Sequence, residues 1–245
     1  MTKKKGGNKE YNNGSIKCEL DALQKNVVRN FLPHHLISGL FGQAGSAKDF
    51  MQLYYAVQQV LSKEASKIVC IKPLTTIGDS VGFLSGSLED KVAPHKQSFI
   101  DNLEVILGRD GARAFLNSKK FEFQPATFLR GNTFGNDETG KVIVILSEAQ
   151  NMTLHELISV TTRVSENSQL LINGDPLQSD IKKSGLNDFL HIMKGVEEFK
   201  YLELGDEYQR RSKLIIKINR LYREFLFPSV KPKTKESKWN QTKTF

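Results

Sequence analysis

The stretch "HLISGLFGQAGSAKDFMQLYYAVQQVLSK", residues 35–63, restricts the possible folds more than any other part of the chain. Its first part gathers apolar residues into a short run ending at Gly42, which predicts a strand over 35–42. Its last part sets Phe50, Leu53, Tyr54, Val57, Val60 and Leu61 at spacings of three and four, the apolar face of a helix over Ala47–Lys63. Between the two, Gly42, Gln43, Ala44, Gly45, Ser46, Ala47, Lys48 and Asp49 form a glycine-bearing turn that carries a lysine. A strand that turns through such a loop into a helix aims several backbone N–H groups and the helix N-terminus at one point, and that point attracts an anion.

The loop nearly spells G-x-x-x-x-G-K-[ST], the pattern whose backbone cradles phosphates and whose lysine reaches the β- and γ-phosphates. Lys48 takes the lysine position, but Ala47 stands in place of the second glycine and Asp49 in place of the hydroxyl. Ala47 reads as the milder change, at the entry to a helix, where alanine is favoured. Asp49 is the serious one, because a carboxylate beside phosphates is repelled unless a cation lies between them.

The rest of the chain repeats the alternation. Apolar runs at 67–73, 141–147, 169–175 and 199–205 read as strands, and the run "KVIVILS" has the unbroken apolar character of a strand covered on both faces. Helical patterns fall at Leu88–Gly108, Thr153–Val164 and Ser212–Phe225, and the segment "GNTFGNDETGK" at 131–141 reads as a surface turn. This alternation predicts an α/β domain with a mainly parallel sheet between helical layers.

The 245 residues, 39% hydrophobic and 25% charged, suit one large domain, and no apolar run approaches the roughly 18 residues that span a bilayer. A soluble, cytoplasmic protein with no membrane partner is expected, with Cys18 and Cys70 as reduced thiols. His34 and His35, if on the first strand, point to opposite faces and make a poor metal pair. The net charge of +8 is concentrated at the ends, where residues 1–10 and 229–245 together contribute +7. Such lysine tails either bind phosphate backbones without reading sequence or serve solubility.

"VIVILSEAQNMTLHEL" is similar to the strand ending D-E-A-Q-N of the PhoH-like family of P-loop ATPases. Three further stretches resemble that family in order: "IKPLTTIGDSVGFLSGSLEDKVAPH" (71–95), "FLRGNTF" (128–134) and "NGDPLQSD" (173–180). The resemblance covers roughly residues 33–225 and implies a three-layer P-loop NTPase of RecA-like type. It implies a domain over 18–228 between flexible basic tails at 1–17 and 229–245. It also implies ATP and Mg²⁺ as cofactors, RNA or single-stranded DNA as a partner, and a homo-oligomeric ring.

Carried over residue by residue, the resemblance makes Glu148 the carboxylate that orients the attacking water. Asp175 and Gln178 become groups near the γ-phosphate. "QRRSKLI" (209–215) resembles the family's R-S-x-[LF]-[VI], which makes Arg211 the γ-phosphate cation, with Arg210 as the adjacent alternative. The family has a hydroxyl where this chain has Asp49 and a carboxylate where it has Ser147, so the same two magnesium ligands are expected with their providers exchanged. Three functions remain open: an ATP hydrolase acting on nucleic acid, a nucleotide-binding regulatory module with little turnover, and a basic-tailed nucleic-acid binder whose ATPase site has decayed.

Overall fold

The structure is a computed structural model that describes residues 15–74, 88–129, 133–136 and 139–226. Six strands form one sheet: β1 (Ile37–Gly42), β2 (Lys67–Lys72), β3 (Phe121–Pro125), β4 (Val142–Leu146), β5 (Gln169–Gly174) and β6 (Phe199–Leu204). Their order is β3-β2-β4-β5-β1-β6, and all five pairings are parallel. Five of the strands fall where the apolar runs predict them. The edge strand β3 is not marked by such a run, because only Phe121 of "FEFQP" is buried and its apolar residues are few.

The helices are α1 (Ala22–Asn26), α2 (Lys48–Leu61), α3 (Leu88–Asn117), α4 (Leu154–Thr161), α5 (Leu186–Met193) and α6 (Lys213–Leu226). The predicted end of the long helix at Gly108 corresponds to a break inside α3, where that residue adopts φ 73°, ψ 162°. Strand periodicity sorts the core into two layers. Ile143 and Ile145 of β4 face one side with Leu40, Ile68, Cys70 and the apolar face of α2. Val142, Val144 and Leu146 face the other with Phe41, Ile172, Leu157 and Phe189. The result is helix, sheet, helix, the expected three-layer α/β arrangement.

His34 ends a 3-10 turn and His35 precedes β1, so neither lies on the strand that the sequence suggested. His35 packs against Phe31 instead, with the rings tilted by 60° and their centroids 4.8 Å apart. The turn around 131–141 is described in part, with Asn136 and Gly140 bridged and Thr139 N–H donating to Asn136 Oδ1 at 2.7 Å. Ile16 packs against the core and Lys17 N–H donates to the Ile106 carbonyl at 2.7 Å. Most of both basic tails, and most of the 71–95 stretch, lie outside the described residues. Among the described residues no helix is long and apolar enough to cross a membrane.

Candidate nucleotide-binding site

The strand order brings the carboxyl ends of β1, β5 and β4 side by side, where ligands of open α/β sheets bind. The loop 42–47 leaves β1 and enters α2 there. Gly45 has φ 93°, and the Arg211 side chain lies over it so closely that an added Cβ would sit 2.9 Å from the Arg211 stem. Ser46 is fully buried, and its hydroxyl donates to the Gln43 carbonyl at 2.8 Å. The Lys48 ammonium folds back into this loop, donating to the carbonyls of Gly42 at 2.6 Å and Gln43 at 2.9 Å.

Burial pushes the Lys48 ammonium below its ordinary pKa, while the nearby charges of Asp49, Asp175 and Glu148 pull it back up and Arg211 opposes them. One lysine therefore feels three of the predicted carboxylates and the predicted arginine together. Arg210, the alternative cation, is committed elsewhere: its guanidinium pairs with Asp21, and its backbone N–H donates to the Gly45 carbonyl at 2.9 Å.

Ala47 is not the helical residue that the sequence suggested. It precedes α2 in the left-handed region, φ 58°, ψ 28°, the conformation for which the pattern's glycine is suited. The substitution strains the loop as well as filling space. Ala47→Gly is expected to raise unfolding stability by about 1 kcal/mol. Urea unfolding with an unchanged slope checks this, and a lower midpoint would contradict it.

Glu148, directly after Ser147 at the end of β4, also adopts left-handed geometry at φ 57°. Residues 148–151 then clamp the loop that follows β5. Gln150 donates to the Glu148 carboxylate, and its Oε1 accepts the Asp175 N–H at 3.0 Å. Asn151 and Asp180 exchange two hydrogen bonds, at 2.7 and 2.8 Å, and the Ser179 hydroxyl donates to the Gln150 carbonyl at 3.0 Å. The stretches "SEAQN" and "GDPLQSD" are thus two halves of one interlocked corner. Gln178 closes its turn by donating its N–H to the Asp175 carbonyl at 3.1 Å.

Asp49 and Ser147 make no hydrogen bond to each other among the described residues. Asn173, on the strand between them, donates to Asp49 Oδ1 and to Gln52 Oε1, both at 2.8 Å, and its Oδ1 accepts the Glu148 N–H at 3.4 Å. Ser147 Oγ and Asp175 Oδ2 are buried and have no hydrogen-bond partner among the described residues. Burial raises the Asp175 pKa, against its bond from the Leu177 N–H and the charges of Arg223 and Lys48. Asn173, Gln52, Gln150 and Arg223 were not anticipated as site residues; a polar residue ending the apolar run "LLIN" was the one available signal, for Asn173.

The parallel three-layer sheet and the lysine-bearing loop between β1 and α2 define a nucleotide-binding P-loop protein. The chain belongs to the PhoH-like protein family, whose profile matches residues 18–223. A PhoH-like protein of Bacillus subtilis is 31% identical over 202 residues, covering 81% of this chain and 61% of that protein. Protein PhoH of Escherichia coli is 32% identical over 178 residues, covering 71% of this chain and 49% of that protein. The chain thus spans about half to three fifths of the length of these relatives. Among solved structures, the large terminase of a thermophilic bacteriophage is similar with a TM-score of 0.46 and 12% identity, over 82% of this chain and 49% of that one.

Proposed function

We propose that the protein is a Mg²⁺-dependent ATP hydrolase acting on RNA or single-stranded DNA. The observation that carries this reading is the Lys48 ammonium folded into the loop between β1 and α2, with Asp49, Glu148, Asp175 and Arg211 near enough to act on its charge, together with a buried Ser147 hydroxyl that has no partner among the described residues. Lys48 and the loop N–H groups would bind the phosphates. Glu148 would orient the attacking water, with Gln178, whose N–H closes the turn on Asp175, as the second polar group on that side. Arg211, lying over Gly45, would stabilise charge that develops on the transferred phosphoryl group.

Among the described residues no three His, Cys, Asp or Glu side chains gather into a metal site. Mg²⁺ does not need one, since it is commonly held by one or two protein oxygens together with substrate phosphates and water. Ser147 Oγ, left without a hydrogen-bond partner among the described residues, and the Asp49 oxygen not bonded to Asn173 fit that habit. When bound there, the ion would neutralise charge between the β- and γ-phosphates. The lysine-rich segments 1–17 and 229–245 flanking the 18–228 domain supply the attraction to a nucleic-acid backbone. Assembly into a ring belongs to the same reading.

A slower nucleotide-binding switch is the second reading, favoured by the bond from Asn173 that already occupies one Asp49 oxygen. A double-mutant cycle on the exchanged ligands tests both. Asp49→Thr leaves two hydroxyls at the cation and Ser147→Asp crowds it with two carboxylates, so each change is expected to weaken Mg²⁺-dependent ATP binding. The double variant restores the family's arrangement and is expected to recover it, with a coupling energy beyond the ~0.5 kcal/mol of independent sites. Additive effects in a Mg²⁺ titration of ATP affinity would sink the exchange and leave a decayed site. A double variant that hydrolyses ATP much faster than the unmodified chain at saturation would assign it to the switch.

A further inference from the structure

Two arginines after β6 reach the phosphate loop, Arg211 over Gly45 and Arg220 by way of Asp206, and a third, Arg223, has a buried nitrogen with no hydrogen-bond partner among the described residues. Arg220 of α6 donates to Asp206 Oδ2 at 2.9 Å, and Asp206 Oδ1 accepts from the Gln43 side chain of the loop at 3.1 Å. This chain of contacts ties α6 to the loop. Arg223 stands three residues further on, so it shares a helix face with Arg220. The half-buried residues of α6 include Ile215, Ile216, Asn219 and Arg223, whereas Leu214, Ile218 and Phe225 are exposed. Arg223 is therefore turned into the protein, and its Nε is buried without a hydrogen-bond partner.

Asp175, at the end of β5, lies near enough for the charge of Arg223 to act on it. This residue is only 4% exposed, and its Oδ2 likewise has no partner among the described residues. A buried guanidinium nitrogen and a buried carboxylate oxygen that both lack hydrogen bonds are costly, and natural structures seldom leave them so without a function. A phosphoryl oxygen would supply the acceptor that Arg223 lacks, and water ordered around that phosphate would supply the donor for Asp175.

The location selects which phosphate. Arg211 reaches the site over Gly45 and Lys48, and the charge of Arg223 acts from the side of Asp175, so the two arginines approach from different sides. Gly174 is level with Phe41 in the sheet, so Asp175 is level with Gly42 and stands on the side toward β4 and Glu148. A polyphosphate that begins in the loop and ends beside the water-orienting carboxylate presents its last phosphate on that side.

We propose that Arg223 binds the terminal phosphate of a nucleoside triphosphate and so makes the site prefer triphosphate over diphosphate. The inference rests on the phosphate-loop reading of Lys48, and its test keeps the two apart. Affinities for ADP and for a non-hydrolysable ATP analogue, both with Mg²⁺, are measured by calorimetry on the full chain, on Arg223→Gln, on Arg223→Lys and on Lys48→Ala.

Arg223→Gln is expected to weaken the triphosphate roughly tenfold or more and the diphosphate less than about twofold, with Arg223→Lys recovering part of the loss. The thermal midpoint should hold, because the buried Arg223 Nε gives up no hydrogen bond within the described residues. Equal losses for both nucleotides, or no loss for either, would overturn the proposal while Lys48→Ala still weakens both. If Lys48→Ala weakens neither, the phosphate-loop reading fails and takes the proposal with it.

Discussion

Replacing Glu148 with glutamine is expected to slow ATP hydrolysis by roughly 100-fold or more while leaving ATP affinity within about twofold. The geometry explains the split. One carboxylate oxygen of Glu148 accepts from Gln150 and its backbone N–H donates to Asn173, so side chain and backbone are each held by one bond before any substrate arrives. A glutamine keeps the shape and can still accept from Gln150 through its amide oxygen. What it loses is the negative oxygen proposed to orient and polarise the water. Phosphate-release kinetics at saturating Mg²⁺ and ATP, with calorimetry on the same sample, check both halves. Turnover within tenfold of the unmodified chain would move water activation to another group.

The left-handed backbone at Glu148 bears on the same result. A non-glycine residue held at φ 57° costs on the order of 1 kcal/mol, and such strain persists where the surroundings over-determine it. Here the surroundings are the Gln150 and Asn151 side chains and the loop 175–180 that they grip. The motif is thus a mechanical unit, beside the catalytic role proposed for Glu148. Stability and turnover should therefore respond together when Gln150 or Asn151 is altered, whereas Glu148→Gln separates them.

The sequence made five strands and the phosphate loop legible because each is encoded locally. "VIVIL" is apolar throughout since both faces of β4 are covered, and the spacing of Leu53, Val57 and Val60 marks the buried side of α2. The edge strand β3 was not legible, since Glu122 and Gln124 remain half-exposed and Glu122 pairs with Lys67 at 2.7 Å, a contact fixed only when the two strands meet. Helix α5 was missed because "LNDFLHIM" is short and only Leu186, Phe189 and Met193 are buried.

The site divides in the same way. Lys48, Glu148 and Asp175 sit in recognisable local patterns, and Arg211 is preferred over Arg210 from the stretch "QRRSKLI", whereas the pairing of Arg210 with Asp21, distant in sequence, is seen only in the fold. The role of Asn173 depends on β5 lying between β1 and β4, a fact of topology. The strain at Ala47 depends on where the helix begins, and boundaries are the least local property of a helix.

The central claim is that this altered loop still holds a nucleotide by its phosphates, and Lys48 tests it most directly. Its ammonium has three donors and spends them on the carbonyls of Gly42 and Gln43 and, at 3.4 Å, on the Ser46 hydroxyl. It is therefore already held within the loop, and it exchanges some of these bonds for phosphate oxygens when a nucleotide arrives. Losing a charge-assisted contact of this kind is worth about 1.5–3 kcal/mol, so Lys48→Ala should weaken Mg²⁺-ATP binding by roughly 10- to 100-fold. Calorimetric titration of Mg²⁺-ATP into the unmodified chain and into Lys48→Ala, with thermal unfolding to establish that the variant is folded, is the decisive measurement. The predicted result is a measurable dissociation constant that rises at least tenfold in the folded variant; the same constant in both proteins, or no binding to the unmodified chain, would contradict it.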